Sequence, residues 1–386
     1  MSDTDARLRV LLVSHYYPPH VGGIENVVHD EAVRLAALGH EVVVLTSGDR
    51  STETVEEGVR VVRVKASYAI EKRAGIPYPL MSPSLLGRAL RWSKWADVVH
   101  VHDCFYLTSW TAYAATVLRR TPMVLTQHVG MIDHPSGAVQ AIQKLVYGTA
   151  GRLIVRRAKW VFTINDRVTP FVVGLGAKPE RQSLLDNGVD GELYQVSRDD
   201  AERKRIRERY NLPLDRVLAL FVGRFVPKKG FDLLLEAADP AYDLVLVGAD
   251  DDGQATASAK AGSAHVLGSL PKTEVAELYR ACDVFVLPSV GEGFPLAVQE
   301  AMSSGLPVVT TRDPAYARYG LEDGGVTLIE RDAEAVRAAL TELAGDADLR
   351  ERMGGKAAEY AAARFSWADH VDTLIRTYRT AMRAGM

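Results

Sequence analysis

The stretch Gly291-Glu292-Gly293-Phe294-Pro295-Leu296-Ala297-Val298-Gln299-Glu300 sets two carboxylates eight residues apart, with glycine and proline between them. Pro295 suits the first turn of a helix, where its missing N–H is no loss. The first N–H groups of that helix would then point outward at the positive end of its dipole, a seat for a diphosphate. Glu300 would stand more than a turn into the helix and Glu292 on the loop before it. Carboxylates beside an anion make sense if they grip hydroxyls. A diphosphate flanked at both ends by hydroxyl-bearing rings is a nucleotide sugar.

Three further groups carry chemistry. In Gly223-Arg224-Phe225-Val226-Pro227-Lys228-Lys229-Gly230 two kinds of cation follow an apolar strand. Arginine binds phosphate bidentately and lysine adds a mobile point charge. Cations at the carboxyl end of a strand sit where open α/β sheets bind ligands. Gly22-Gly23 lies between a strand and a helix, where glycine lets a phosphate come close to the backbone. The same pair also makes an ordinary tight turn. No G-x-G-x-x-G is present, which argues against a dinucleotide dehydrogenase. Thr126-Gln127-His128 ends another apolar strand and places His128 at a strand terminus.

These residues need a scaffold, and the hydrophobic pattern supplies one twice. Apolar strands are expected at Arg9–His15, Glu41–Thr46, Val59–Lys65, Asp97–His102, Met123–Gln127 and Trp160–Ile164, with helical stretches between them. A polar connection, Tyr194–Asp200, leads to a charged helix, Asp200–Tyr210. The alternation restarts with strands Val217–Val222, Asp243–Val247, His265–Leu267, Asp283–Leu287 and Pro307–Thr311. Helices are expected at Gly230–Ala238, Lys272–Ala281 and Pro295–Ser304, and the tail from Asp332 reads as helical. Continuous apolar strands alternating with helices make parallel sheets covered on both faces, an α/β protein.

Composition fits a globular protein: 386 residues, 47% hydrophobic, 25% charged, net charge −3. The length favours two domains. Nothing in the charge balance suggests nucleic acid. Two well-separated cysteines, Cys104 and Cys282, argue against a disulfide framework and for a reducing cytoplasm. The polar N-terminus lacks a signal-peptide pattern, and no apolar run is long enough to span a bilayer.

Taken together the motifs resemble the Glu-x7-Glu signature of retaining GT-B glycosyltransferases of family four, the glycosyl transferases of group 1. The likeness runs from Val10 to the C-terminus. Pro18-Pro19-His20-Val21-Gly22-Gly23-Ile24-Glu25 resembles the family's first loop, and Asn187-Gly188-Val189-Asp190 its Asn-Gly-Val-Asp. The resemblance implies two Rossmann-like domains facing a central cleft. Residues 1–192 would form the acceptor-side domain and 193–365 the nucleotide-sugar domain, with helix 366–386 crossing back to the first. It implies that Arg224 and Lys229 neutralise the leaving diphosphate, whereas Lys228 is solvated. Glu292 would hold the sugar, Glu300 the ribose, and the backbone of Gly293, Phe294, Pro295 and Leu296 the diphosphate. Gly22 and Gly23 would approach the donor phosphates, and His128 the transferred sugar or the positive charge forming on it. Base recognition would fall to backbone near Gly268–Pro271.

The activity so implied is transfer of a hexosyl unit from a nucleoside diphosphate sugar to a hydroxyl of a glycan, lipid or small molecule. No cofactor and no metal are expected. A sugar-nucleotide epimerase and a non-catalytic glycan-binding module are the alternatives. The second would be expected to lack Glu292, Glu300, Arg224 or Lys229, all of which are present. His100, His102 and Asp103 look at first like a metal cluster, but a structural or acceptor-side role is expected. Asp250-Asp251-Asp252 is read as a solvated charge run rather than an Asp-x-Asp metal site. Residues 60–94 hold eight cations against the single acid Glu71, and Leu85–Trp95 interleaves cations with Leu and Trp. That stretch is either an ordinary amphipathic helix covering the sheet or a contact with an anionic membrane on the inner face of the cell.

Overall fold

The computed structural model describes residues 6–20, 22–74, 78–131, 136–197, 199–249, 253, 264–291 and 294–384. The chain forms two compact units. One runs to Leu185 and takes in the C-terminal helix from Ala368, and the other is Asp186–Trp367.

In the first unit Val10, Leu11, Leu12 and Val13 of β1 (Arg9–Val13) are all fully buried. Burying such a side chain contributes roughly 1.5–3 kcal/mol, and a strand apolar on both faces is stable only between two helical layers. The remaining strands are β2 (Glu41–Gly48), β3 (Thr52–Glu56), β4 (Val59–Ser67), β5 (Leu80–Met81), β6 (Val98–His102), β7 (Met123–Gln127), β8 (Trp160–Thr163) and β9 (Gln182–Leu184). Their order is β3-β4-β2-β1-β6-β7-β8-β9. All pairings are parallel except β3 and β5 on β4. The helices are α1 (Gly23–Ala37), α2 (Ala69–Ala74), α3 (Ser84–Trp95), α4 (Leu107–Arg119), α5 (Gly137–Val146), α6 (Arg152–Arg157) and α7 (Val168–Leu175).

The second unit has one all-parallel sheet. Its order is β12 (Ala264–Gly268), β11 (Asp243–Val247), β10 (Leu218–Val222), β13 (Val284–Leu287), β14 (Val308–Thr311), β15 (Val326–Ile329). Helices α8 (Asp200–Arg209), α9 (Phe231–Glu236), α10 (Lys272–Ala281), α11 (Leu296–Ser303), α12 (Ala333–Gly345) and α13 (Ala347–Arg364) cover it. The last helix, α14 (Trp367–Arg383), buries Val371, Leu374, Ile375 and Tyr378 at helical spacing, and from Ala368 it belongs to the first unit.

The boundary falls a few residues before the expected 192. Val189 pairs with Ser366 and donates its N–H to Phe365 O at 2.9 Å, while Gly188 lies against the Trp367 ring. These contacts tie the Asn-Gly-Val-Asp turn to the second unit.

Candidate active site

Each sheet reverses its strand order once, between β1 and β6 in the first unit and between β10 and β13 in the second. Such switch points open crevices at the carboxyl ends of the strands. Nearly every site residue expected from the sequence follows one of these strands.

In the second unit the loop after β10 carries Arg224 and Lys229, and the loop after β13 leads to α11. The structure joins the two loops. Val290 N–H donates to Lys228 O at 3.0 Å, and Arg331 spans them by donating to Pro288 O at 3.2 Å and to Pro227 O. Gly230 has φ +76, and a Cβ there would lie 2.4 Å from Pro288 O, so this turn requires glycine. Arg224 is exposed and Lys229 half-buried. Gly223 donates to Val247 O at 2.9 Å, which brings the end of β11 alongside.

Glu292 and Gly293 lie outside the described residues, as do Asp250, Asp251 and Asp252. One detail of the neighbouring segment differs from expectation. Pro295 sits just before the helix rather than in its first turn, and its carbonyl accepts from Val298 N at 3.1 Å. It thereby uses one of the early N–H groups, and the ends of Leu296 and Ala297 are left as the leading ones. Phe294 is a core residue, with its ring stacked on Tyr319 at 4.4 Å, so its part toward a ligand is confined to backbone. Leu296 opens α11, and Glu300 lies a turn further on, half-buried. Tyr279, on α10, has its hydroxyl 3.1 Å from Glu300 Oε2 and 3.1 Å from Ala297 O. Burial first, and Glu300 second, raise this phenol well above its ordinary range, so it stays a donor.

The first unit is different. Gly22 precedes α1 and Gly23 opens it. Nothing crowds Gly23, but a Cβ on Gly22 would lie 2.2 Å from Glu25 Oε2. Glu25 is buried at this helix start and pairs with His20 Nδ1 at 3.1 Å. The His20 ring stacks on Tyr16, and Tyr16 OH donates to Glu71 Oε2 at 2.5 Å. The helix end expected to receive phosphate already carries a carboxylate, which opposes a second anion.

His128 is buried at the end of β7. Its Nε2 is 3.1 Å from His102 Nδ1, and His102 Nε2 is 3.3 Å from Glu31 Oε2. Glu31 Oε1 accepts from His370 Nε2 at 2.9 Å. His100 reaches Tyr378 OH and Thr126 Oγ1, each at 2.7 Å. Burial pulls the His128 imidazole down to about 3, with His102 adding to the effect. Burial alone would raise Glu31, but His102, His370 and His100 hold it well below the carboxylate range. Burial keeps the His128 imidazole neutral. A neutral imidazole has one bare nitrogen that can accept a hydrogen bond, and which one depends on the tautomer.

Asp103 completes the switch point. It adopts φ +63, and its Oδ1 accepts from His128 N at 3.3 Å, Val129 N at 3.4 Å and Gln127 Nε2. Burial pushes its carboxyl up to about 7. Asp103 therefore fixes the turn that carries His128. Glu31, His100 and His102 bring one ligating atom each within 4.8 Å of one another, a donor set a metal could use. Both His100 nitrogens are engaged by Tyr378 and Thr126, whereas Glu31 Oε2 and His102 Nε2 face each other at 3.3 Å without a hydrogen bond.

The basic–apolar stretch 85–95 is α3, and its apolar side is used on the sheet. Leu85, Ala89 and Trp92 are buried. Arg91 and Arg60 both approach Glu53 and the Trp92 ring. The outward apolar residue is Leu86. Both cysteines are buried and free. No helix among the described residues is long and apolar enough to cross a membrane.

Comparison with known proteins agrees with this architecture. Residues 202–360 match the family model described as "Glycosyl transferases group 1", and residues 22–188 match "Glycosyl transferase 4-like domain". Among curated relatives, "D-inositol 3-phosphate glycosyltransferase" of Corynebacterium glutamicum (strain R) is 27% identical over 97% of both chains. The protein of the same name from Mycobacterium tuberculosis (strain CDC 1551 / Oshkosh) is 28% identical over 98% of this chain and 84% of its own. Among solved structures, sucrose-phosphate synthase from Thermosynechococcus elongatus superposes with a TM-score of 0.76 at 20% identity, covering 98% of this chain and all of the other. Anabaena Alr3699/HepE, in complex with UDP and glucose, gives 0.76 at 17%, covering 97% and 100%. The chain belongs to the group 1 glycosyltransferases and has the GT-B fold. It is an enzyme of the glycosyltransferase class.

Proposed function

We propose that the protein moves a hexosyl unit from a nucleoside diphosphate sugar to an acceptor hydroxyl with retention at the anomeric carbon. The observation that carries this is the welding of the Arg224–Lys229 loop to the loop leading into α11, at the switch point of the second sheet. Two cations and the leading N–H groups of α11 at Leu296 and Ala297 stabilise charge on a departing diphosphate. Glu300, steadied by Tyr279, suits the ribose hydroxyls. Glu292 is assigned to the sugar. A neutral His128 hydrogen-bonds a hydroxyl of the transferred sugar. A diphosphate kept on the attacked face takes the acceptor's proton, so no protein nucleophile is required. These groups neutralise the diphosphate without a divalent cation, so activity should persist in excess EDTA. The UDP bound to Alr3699/HepE makes UDP-sugars the first donors to try, and the inositol phosphate in the relatives' name makes a phosphorylated polyol the first acceptor.

A thermal-shift screen of UDP-, GDP- and ADP-sugars, followed by NMR of the product's anomeric configuration, tests the reading. Retention in a product that forms only with acceptor is expected. Inversion, or release of UDP from UDP-N-acetylglucosamine with no acceptor present, would overturn it, the latter in favour of an epimerase.

A further inference from the structure

The segment after β7 has its amphipathic sides reversed. In α5 the one buried side chain is polar, Gln143. Ala138, Ala141, Ile142 and Leu145, spaced three and four apart, are exposed. Ile142 is 56% and Leu145 67% exposed. The chain continues through a wide helical turn, Tyr147–Gly151, into α6, where Leu153 is 52% exposed. The opposite side is firmly seated. Tyr147, Ile154 and Val155 belong to the core, and Gly151 packs at Cys104. The outward stripe is therefore held in place by a buried face and is not a frayed end.

The charge around this stripe has one sign. Residues 136–159 contain Lys144, Arg152, Arg156, Arg157 and Lys159 and no acid, in a protein of net charge −3. Lys144, Arg152 and Arg156 are exposed. The end of α4 adds exposed Leu118, Arg119 and Arg120, and Arg157 ties that end to α6 through Thr116 O at 3.3 Å. Leucine and isoleucine on the outward side of a helix, among cations in a segment that contains no acid from 136 to 159, fit a helix lying in the headgroup layer of an anionic membrane. On α3, by contrast, the apolar residues face the core and Glu53 engages the cations. We propose that the α5–α6 face, Ala138 to Leu153, docks this protein on an anionic lipid surface.

Co-sedimentation tests this with the whole protein and needs no substrate, so it is independent of the proposed reaction. Vesicles of equal parts phosphatidylglycerol and phosphatidylcholine should pull the protein down at low salt, and added salt should release it. Phosphatidylcholine alone should not. Ile142→Glu with Leu145→Glu should lower the bound fraction about tenfold, since affinity scales with buried apolar area plus attraction to anionic lipid. Ile142→Leu with Leu145→Ile should restore it, and Leu86→Glu on α3 should change nothing. Unchanged melting temperatures show that the variants fold. Failure to bind anionic vesicles at low salt overturns the proposal, as does equal binding by the double glutamate variant or by zwitterionic vesicles. A concentration-dependent dimer that the double variant abolishes, without vesicle binding, would assign the face to a second copy and likewise overturn it.

Discussion

At the switch point of the second sheet the candidate groups lie toward solvent: Arg224 is exposed, Lys229 and Glu300 are half-buried, and the carriers are backbone loops shaped by glycine. At the switch point of the first sheet they are committed to each other. His15, Glu25, Glu31, His100, His102, Asp103 and His128 are all buried, and most answer another titratable group. The same topology thus produces two kinds of polar site. One holds its charged groups near the surface. The other engages them with one another. Substitutions should therefore register mainly as lost turnover in the second unit and mainly as lost stability in the first.

The largest effect that could break this contrast is at Glu31. It is the one carboxylate among His100, His102 and His370. Removing one partner of a buried charged network typically costs about 3–5 kcal/mol. Glu31→Ala should lower stability by that order in denaturant unfolding, while the second unit keeps its nucleoside diphosphate affinity by calorimetry. A loss under about 1 kcal/mol would show that the histidines stand without it.

Next come Arg224→Ala and Lys229→Ala. Each should lose about 2–4 kcal/mol of transition-state stabilisation, as for removed charge-stabilising donors, with little change in melting temperature. Turnover within threefold of wild type in both variants would break the contrast from the other side.

The pH dependence sharpens it further, because two groups at the first switch point have opposite signs. His128 is held neutral down to about 3, below its unfolded value. The unfolded chain takes the proton first, so this contribution to stability is lost as pH falls below about 6.5. Asp103 is raised to about 7. Its contribution is fully present below the unfolded value near 3.9 and is lost as pH rises to 7. Asp103→Asn keeps an acceptor for His128 N and Val129 N but does not titrate. Its stability should fall more steeply than wild type's on going from pH 7 to pH 4. Parallel curves would mean that Asp103 is ionised throughout.

The sequence made the second unit far more legible than the first, and the reason is separation along the chain. The Arg224–Gly230 and Gly291–Glu300 loops are short, contiguous patterns with glycine and proline at fixed offsets, and apolar runs located the central strands of both sheets. Glu31 meets His370 across 339 positions, and His100 meets Tyr378 across 278. No local pattern marks such pairs. Glu31 stands on the buried face of α1 beside Val27, Val28 and Leu35, where an apolar residue is the ordinary occupant. An acid on that face was the available signal. Helix faces are ambiguous for a related cause. Periodicity finds an apolar stripe but not the direction it points, so α3 reads as a sheet cover or a surface contact alike, and α5 is not singled out. Strand β3, Thr-Glu-Thr-Val-Glu, is a solvated edge with little apolar residue to reveal it.

The smallest effect isolates a residue that spacing did not reveal. Tyr279 lies on α10, is fully buried, and holds its hydroxyl 3.1 Å from Glu300 Oε2. If Glu300 grips ribose, its position matters equally in the free donor complex and during reaction, because ribose contacts do not change as the sugar leaves. Tyr279→Phe removes one hydrogen bond to a carboxylate, worth about 1.5–3 kcal/mol at most when the acceptor is charged. Water can replace part of it, since Glu300 is only half-buried. The affinity for free nucleoside diphosphate should therefore fall by about tenfold or less, with turnover at saturating donor unchanged, the mark of uniform binding. Glu300→Ala should show the same pattern more strongly. Glu292→Gln should show the reverse, with nucleoside diphosphate affinity kept and turnover lowered, because contacts to the transferred sugar strengthen as charge develops on it. Calorimetry with the diphosphate beside steady-state kinetics separates the cases. If Tyr279→Phe lowers turnover and spares affinity, Glu300 faces the sugar rather than the ribose, and the division of labour between the two glutamates is reversed.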